Sequence, residues 1–223
     1  WRHNVKGFGK AAGIPAATWS SGGAMNEERY YGYGAGKTQD SAIVSGGIDE
    51  SSPSNDLTQT EIYNGSSWTE VNDLNTGRAG GGSTGQGTTT ATLIFGGLLS
   101  PGTNKNETET WDGSSWTEGN NLNTARQGGG GFGTQSLAFY AAGYTTTDVN
   151  SVESWDGTSW TETTEVNTAR RFMGSAGFST DGMIFGANPA TGATEIWDGS
   201  SWTEVNDMNT GRGFQPGSAG NTT

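Results

Sequence analysis

Residues 68–78 read WTEVNDLNTGR, and the spacing inside this stretch decides the fold. A tryptophan is followed seven positions later by an asparagine, and three positions after that by an arginine. The same Trp-x6-Asn-x2-Arg unit occurs five times in the 223 residues. The five units are Trp19, Asn26 and Arg29; Trp68, Asn75 and Arg78; Trp116, Asn123 and Arg126; Trp160, Asn167 and Arg170; and Trp202, Asn209 and Arg212.

The distance between successive units predicts the architecture. Successive tryptophans are 49, 48, 44 and 42 residues apart, and counting from Trp202 past the C-terminus round to Trp19 gives 40. A period of about 40 to 50 residues is typical of β-propeller blades, each a small sheet that cannot bury both faces alone. Five near-equal steps predict one all-β domain over residues 1–223, a five-bladed propeller of four-stranded blades.

The fifth repeat unit is divided between the two ends of the chain. From Arg212 round to Trp19 is 30 residues, against 32 to 39 from arginine to tryptophan in the other units. We therefore expect strands from residues 213–223 and from the N-terminal segment to close the ring in one shared blade. The predicted units are 26–74, 75–122, 123–166 and 167–208, with the split unit made of 209–223 and 1–25.

The N-terminal part of this split unit departs from the pattern. It lacks the glutamate, the aromatic residue and the Asp-Gly turn of the other units, and it has Ala12, Ile14 and Pro15 instead. The sequence therefore indicates either a degenerate fifth blade or membership of a longer array.

Each unit contains the pattern of four short strands. After Arg78 come a glycine-rich stretch, the apolar run 90–95, a polar loop, and two short strands that meet at Asp112-Gly113. Asp-Gly between two such strands indicates a tight hairpin, since glycine accepts the positive φ that the turn requires. The glycine-rich strand after each arginine is predicted to be innermost, where backbones approach closely. The turn recurs at Asn64-Gly65, Asp156-Gly157 and Asp198-Gly199.

Composition excludes several classes of protein. A net charge of −12, from 23 acidic and 11 basic residues, argues against binding to nucleic acid or to anionic membranes. The absence of cysteine excludes disulfides, thiolate metal sites and cysteine nucleophiles. No run of 18 apolar residues exists, so we predict no membrane insertion. Nine tryptophans and eight phenylalanines at repeating positions argue against disorder.

The repeated polar residues have structural and functional interpretations. Because five of the eleven basic residues occupy one repeat position, we predict that each arginine pairs with the glutamate of its blade. The alternative is a ring of arginines at the channel mouth that binds an anion. The asparagine is predicted to cap the turn between blades, or otherwise to line a sugar site. The glutamates are Glu61, Glu109, Glu153 and Glu195.

The repeated aromatic residues occupy two positions in each unit. The tryptophan of the Trp-x6-Asn-x2-Arg unit is predicted to form the core between blades. A second aromatic residue lies beside the hairpin turn and is the predicted ligand-binding position, where the face of a sugar could stack. The alternative is that these residues are packed inside. They are Tyr63, Trp111, Trp155 and Trp197.

Neither a metal site, a cofactor site nor a catalytic site is predicted. The acidic turn residues Asp112, Asp156 and Asp198 each lack a second carboxylate at ligand spacing, and a calcium ion needs six to eight oxygens. The single histidine, His3, lies near the N-terminus, and no carboxylate pair of the kind glycosidases use stands out from the repeat. We expect no enzymatic activity.

Each unit also places a pair of small residues ahead of the Glu-aromatic strand. The pairs are Gly46-Gly47 and Gly96-Gly97, with the weaker versions Ala142-Gly143 and Gly186-Ala187. Double glycine, then a Glu-aromatic strand, then a tryptophan strand resembles the kelch repeat over nearly the whole chain. That resemblance implies a kelch-type propeller, although a shared fold does not carry a function with it.

The near-identical repeats, rich in Asn, Thr and Gly, resemble proteins of marine bacteriophages. This second resemblance implies a virion or tail-fibre component, located in the virion or outside the cell, that mediates adhesion. Its expected partners are surface glycans or another virion protein. One alternative is a secreted bacterial carbohydrate-binding propeller of lectin-like character, and a second is a glycosidase-like enzyme.

Overall fold

The structure, a computed structural model, describes residues 22–49, 51–52 and 55–214. This part of the chain is all-β, contains no helix, and forms four four-stranded antiparallel sheets and one two-stranded ladder. The strands are β1 (Arg29–Tyr30), β2 (Tyr33–Thr38), β3 (Ser41–Ser45), β4 (Ile48–Asp49), β5 (Thr60–Tyr63), β6 (Trp68–Val71), β7 (Gly82–Ser83), β8 (Thr92–Leu99), β9 (Thr103–Trp111), β10 (Trp116–Glu118), β11 (Gly130–Thr134), β12 (Leu137–Tyr144), β13 (Asp148–Trp155), β14 (Trp160–Thr163), β15 (Gly174–Phe178), β16 (Asp181–Phe185), β17 (Thr194–Trp197) and β18 (Trp202–Val205).

The four sheets are arranged as the blades of a β-propeller. In each blade the strands are hydrogen-bonded in chain order, and the first strand follows the repeated arginine. These first strands contact one another in turn, β2 with β7, β7 with β11 and β11 with β15, so they are the innermost strands, as predicted. Blade 1 is β2-β3-β5-β6, blade 2 is β7 to β10, blade 3 is β11 to β14 and blade 4 is β15 to β18.

A chain of backbone hydrogen bonds connects the links between blades around the axis. The amide of Gly80 donates to Tyr31 O at 2.9 Å, the amide of Gly128 to Gly80 O at 2.7 Å, and the amide of Phe172 to Gly128 O at 2.6 Å. Each of these residues lies two positions after a repeated arginine and has a positive φ, between 53° and 65°. The left-handed conformation at this position is therefore a constant feature of the connection between successive blades.

Close backbone approach explains the glycines of the inner strands and of the double-glycine pairs. A Cβ on Gly131 would lie 2.7 Å from backbone atoms of Ser83 in the preceding blade. A Cβ on Gly97 would overlap the Tyr33 hydroxyl and lie 2.5 Å from Ala79 O. Any side chain at these two positions would push neighbouring blades apart.

Three apolar cores lie between the four blades rather than within them. Each core combines apolar side chains from one blade with the paired aromatic residues of the next. This packing confirms the predicted place of Trp116, Trp160 and Trp202, whereas Trp68 is partly exposed and Trp19 lies outside the described residues. The main members are Tyr33, Ile43 and Leu74 with Ile94, Trp111 and Trp116; Leu93, Phe95 and Leu122 with Tyr140, Trp155 and Trp160; and Phe132, Phe139 and Val166 with Ile184, Trp197 and Trp202.

The described residues form four blades, where the sequence predicts five. The predicted fifth unit consists of 209–223 and 1–25, and only 209–214 and 22–25 of it lie within the described residues. The predicted pairing of the two termini in one blade falls on residues outside that part.

Candidate functional site

A buried carboxylate organises each described blade, and blade 3 shows the arrangement. Glu153 Oε1 accepts a hydrogen bond from Arg126 Nη1 at 2.8 Å. Glu153 Oε2 accepts from the backbone amide of Asn123 at 2.7 Å and from its side-chain Nδ2 at 2.9 Å. The same Nδ2 donates to Trp160 O at 3.1 Å. All the polar members of the repeat therefore converge on one carboxylate.

The ion pairs that the sequence predicts occur in all four described blades. The nitrogen–oxygen distance is 2.6 Å between Arg29 and Glu61 and 2.5 Å between Arg78 and Glu109. Arg170 pairs in the same way with Glu195. The side chains of all four pairs are at most 4% exposed, so these arginines face carboxylates in the interior and do not line a channel mouth.

The Trp-x6-Asn-x2-Arg unit joins two blades. Trp116 lies in the outermost strand of blade 2, whereas Asn123 and Arg126, which follow it, bind Glu153 of blade 3. The constant spacing from the tryptophan to the arginine is thus the length of the segment that connects one blade to the next. The asparagine differs from its prediction, because its amide donates to the glutamate and to a tryptophan carbonyl instead of capping a turn.

The local hydrogen bonds determine the charge state of Glu61. Burial by itself would raise the pKa of this carboxyl. The amides of Asn26 and Glu27 and the guanidinium of Arg29 outweigh that effect and lower its pKa below the usual value. Glu61 therefore stays ionised beside Arg29.

The predicted sugar-stacking aromatics are mostly buried. Trp111, Trp155 and Trp197 are 0%, 3% and 4% exposed, which corrects the expectation that their faces are available to a ligand. Their indole nitrogens donate to the backbone oxygens of Thr89, Gln135 and Ser179 at 2.9, 3.0 and 3.0 Å. Only Tyr63, the fourth member of the set, is partly exposed.

Cross-strand pairing explains this burial. Trp111 is the direct partner of Trp116 in the hairpin, so the two side chains share one face of the sheet. Their ring centroids are 5.3 Å apart, and both pack against blade 1. The same pairing joins Trp155 to Trp160 and Trp197 to Trp202.

The hairpin turns hold their acidic residue by hydrogen bonds from the chain itself. Asp112 Oδ1 accepts from the amides of Ser114 and Ser115, both at 2.8 Å. These amides and the Ser114 hydroxyl lower the pKa of Asp112 to about 2. The pKa of Asp198 falls to about 2 for the equivalent reason. Among the described residues no group of three or more His, Cys, Asp or Glu side chains is placed to hold a metal ion.

Acid titration tests the geometry of these turns. The folded-state pKa of Asp112 lies below its unfolded-state value of about 3.9, so its turn hydrogen bonds stabilise the fold above that pH. They are lost as pH falls through about 2. We expect the amide resonances of Ser114 and Ser200 to titrate with a midpoint near 2. The Asn64 turn, which holds Ser66 and Ser67 through an amide oxygen, is the internal control and should not titrate. A midpoint near 4 at Ser114 would contradict the geometry.

A polar seam lies on the surface wherever the link of one blade meets the hairpin turn of the next. Asn72 Nδ2 donates to Ser114 O at 2.7 Å, and Asn120 Nδ2 donates to Thr158 O at 2.9 Å. In the third seam Thr164 Oγ1 donates to Ser200 O at 3.1 Å. Each donor lies four positions after a repeated tryptophan and is at least partly exposed. At equivalent places, two seams thus pair an amide with a carbonyl and the third pairs a hydroxyl with a carbonyl.

A set of aromatic rings lies near the axis, and the sequence patterns did not indicate it. Tyr31, Phe172 and Phe214 all have positive φ, which is unusual for bulky residues. The ring centroid of Phe172 is 6.0 Å from that of Tyr31 and 6.1 Å from that of Phe214. Phe214 and the neighbouring Tyr30 are exposed. Apart from the partly exposed Tyr63, the exposed aromatic surface is therefore near the axis and not beside the hairpin turns.

Comparison of the sequence with protein-family models and with curated proteins finds no match to either. The resemblance to kelch repeats and to phage proteins accordingly rests on the repeat residues alone. No helix in the described part of the chain is long and apolar enough to cross a bilayer.

Proposed function

We propose that this chain is a non-catalytic binding or structural module, a phage virion or tail-fibre component that mediates adhesion to surface glycans. The observation that supports this most directly is that polar groups recur at equivalent places on the surface, whereas the repeated ion pairs are buried. In the described blades the repeated glutamate and arginine pair inside the fold, whereas the repeated asparagine and the polar seams lie at the surface. Amide, hydroxyl and carbonyl groups are the partners that sugar hydroxyls require.

Repetition of the seam fits adhesion better than it fits single-site recognition. Three seams at equivalent places offer three weak sites on one domain. Linked weak sites bind a repeating polymer more tightly than any one site alone, provided that the geometry lets them engage together. A glycan-covered surface is such a polymer.

We also propose that the module is a five-bladed, kelch-like ring, because both ends of the described array present uncovered faces. Met183, Phe185 and Met208 of blade 4 and its link are partly exposed. The equivalent residues of blade 2 and its link, which pack against blade 3, are at most 2% exposed; they are Leu93, Phe95 and Leu122. At the other end Val44, Tyr63 and Trp68 of blade 1 are partly exposed where the equivalent residues of blade 2 are buried. A fifth blade between blades 4 and 1 would cover both faces.

The adhesion proposal is tested by a glycan array followed by calorimetry with an array hit. We expect more than one binding site per chain. Asn120→Ala should lower the number of sites without unfolding the protein, because it removes the donor of one exposed seam. Asn121→Ala, at the next exposed position, is the matched control and should bind as the parent does. A single site per chain, or no binding to any glycan or host-cell surface, would leave a purely structural role.

A further inference from the structure

Each polar seam is bordered by the aspartate of the adjoining hairpin turn. In the seam between blades 1 and 2, Asp112 Oδ1 accepts from the amide and the hydroxyl of Ser114, both at 2.8 Å, and Ser114 O accepts from Asn72 Nδ2. Ser114 therefore connects the carboxylate to the seam donor. A carboxylate and an uncharged donor lie side by side in this way in all three seams. The other two bridges are Thr158 between Asp156 and Asn120, and Ser200 between Asp198 and Thr164.

The turn occupies one oxygen of each carboxylate and leaves the other accessible to a ligand. Oδ1 accepts from two backbone amides in every case. Within the described chain, Oδ2 has a single contact, a serine hydroxyl at 3.4, 3.3 and 3.1 Å for Asp112, Asp156 and Asp198. An ionised carboxylate oxygen has room for about two hydrogen bonds, so Oδ2 can also accept from a ligand hydroxyl. The three side chains are exposed, and because the turn fixes them, binding sacrifices little side-chain entropy.

The charge of these carboxylates is not neutralised by the turn. The pKa of each lies below its usual value because of hydrogen bonds from the turn, led by the amide three residues after the aspartate, and no lysine or arginine is among the main causes. The four repeated arginines are buried against glutamates, and Lys105 and Arg171 pair with Glu107 and Asp148. An acidic sugar at a seam would therefore meet an ionised carboxylate, in a chain of net charge −12.

We propose that the turn aspartate is a sugar-binding residue of its seam, and that the seams select uncharged sugars and reject acidic ones. The inference rests on the proposed glycan-binding function and names the ligand class of the same sites. One sugar hydroxyl donates to Oδ2 of the aspartate, and a neighbouring hydroxyl binds the amide, hydroxyl or carbonyl of the seam. Hydrogen bonds to an ionised group are stronger than those between neutral groups, so the aspartate provides the larger share of the affinity.

The turn of blade 1 has neither of these groups and shows that the fold does not require them. Asn64 occupies the aspartate position, and Gly23 occupies the donor position, four residues after Trp19. A Cβ on Gly23 would lie 2.8 Å from Ser66 O, so backbone fills the place where the other seams have a side chain. Asn64 Oδ1 still accepts from the amides of Ser66 and Ser67 at 3.0 Å. The turn therefore forms without the negative charge that the three seams carry.

Replacement of the aspartates by asparagine tests the proposal, because Asn64 shows that the turn accepts this residue. The glycan array includes homo-oligomers of glucose, galactose and mannose, each beside its uronic acid counterpart, at constant ionic strength. All glycans bound by the parent should be uncharged. In calorimetry with a neutral hit, the combined variant Asp112→Asn, Asp156→Asn and Asp198→Asn should bind roughly tenfold more weakly or worse. Asp40→Asn removes an exposed carboxylate beside the blade 1 turn and is the matched control, with binding unchanged.

Two results would overturn this inference and leave the adhesion function standing. One is binding of uronate oligomers or other acidic glycans by the parent. The other is unchanged binding by the combined variant, although Asn120→Ala lowers the number of sites. If the combined variant does not fold, Asp156→Asn is compared with Asn120→Ala, which acts on the same seam, and unchanged binding by Asp156→Asn has the same meaning. Absence of binding to any glycan by the parent would overturn the adhesion function and this inference together.

Discussion

Replacing Glu109 with alanine is expected to lower the free energy of unfolding by about 3–5 kcal/mol. Glu109 and Arg78 have fully buried side chains and are joined at 2.5 Å. Without the carboxylate, the guanidinium stays buried with no counter-charge, the amide of Asn75 loses its acceptor, and Asn75 Nδ2 keeps only Trp116 O. Urea denaturation followed by tryptophan fluorescence measures the loss.

Glu107→Ala is the matched control for this substitution. Glu107 lies two residues earlier in the same strand and pairs with Lys105 at 2.5 Å, but the two side chains are 23% and 20% exposed. Water still reaches this pair, so its loss should cost less than the loss of the fully buried pair. Equal losses for the two variants would mean that burial does not determine how much an ion pair contributes to the free energy of unfolding.

The sequence predicted the ion pairs because one repeat position used five of the eleven basic residues in an acidic chain. A charge that recurs in phase with a core tryptophan has to lie at an equivalent place in every blade, and a buried arginine needs a carboxylate. The glutamate was the repeated acidic residue in each middle strand. Phase and charge balance therefore indicated an ion pair in each blade, although a second glutamate also repeats in the outer strand, as Glu70, Glu118, Glu162 and Glu204.

The exposure of the second aromatic residues could not be predicted in the same way. In a single sheet exposed on one side, alternation along a strand distinguishes the two faces. A blade in the middle of a ring is packed on both faces, so Trp111 on one face and Phe95 on the other are both buried. The position of Trp111 beside a turn in the sequence gave no indication that its ring packs against blade 1.

The number of blades illustrates the difference between a repeat in sequence and a unit in structure. The Trp-x6-Asn-x2-Arg unit is a link that joins two sheets, so five links enclose only four intervening blades between Arg29 and Arg212. A fifth blade requires strands from outside the residues between these outer links. The sequence did not reveal the seams, because their donor position has no constant residue type. It is occupied by Asn72, Asn120 and Thr164.

Trp160→Ala is expected to cost about 3–5 kcal/mol of unfolding free energy, because it opens the core between blades 2 and 3. The Trp160 ring lies 4.7 Å from Phe95 of the preceding blade, and its indole nitrogen donates to Thr108 Oγ1 at 2.9 Å. The indole therefore holds two blades together through both packing and a buried hydrogen bond. Differential scanning calorimetry should show a Tm lower by roughly 6–20 °C for a domain of this size.

Two further variants separate the contributions to this loss. Trp160→Phe keeps most of the apolar packing but leaves the Thr108 hydroxyl without its donor, so it should cost less than Trp160→Ala and more than a surface change. Leu137→Ala removes an apolar side chain of the same blade that is exposed to solvent, and it should change stability by no more than about 0.5 kcal/mol. If Trp160→Ala were as mild as Leu137→Ala, the blades would be held together mainly by the backbone bonds around the axis and not by the tryptophan cores.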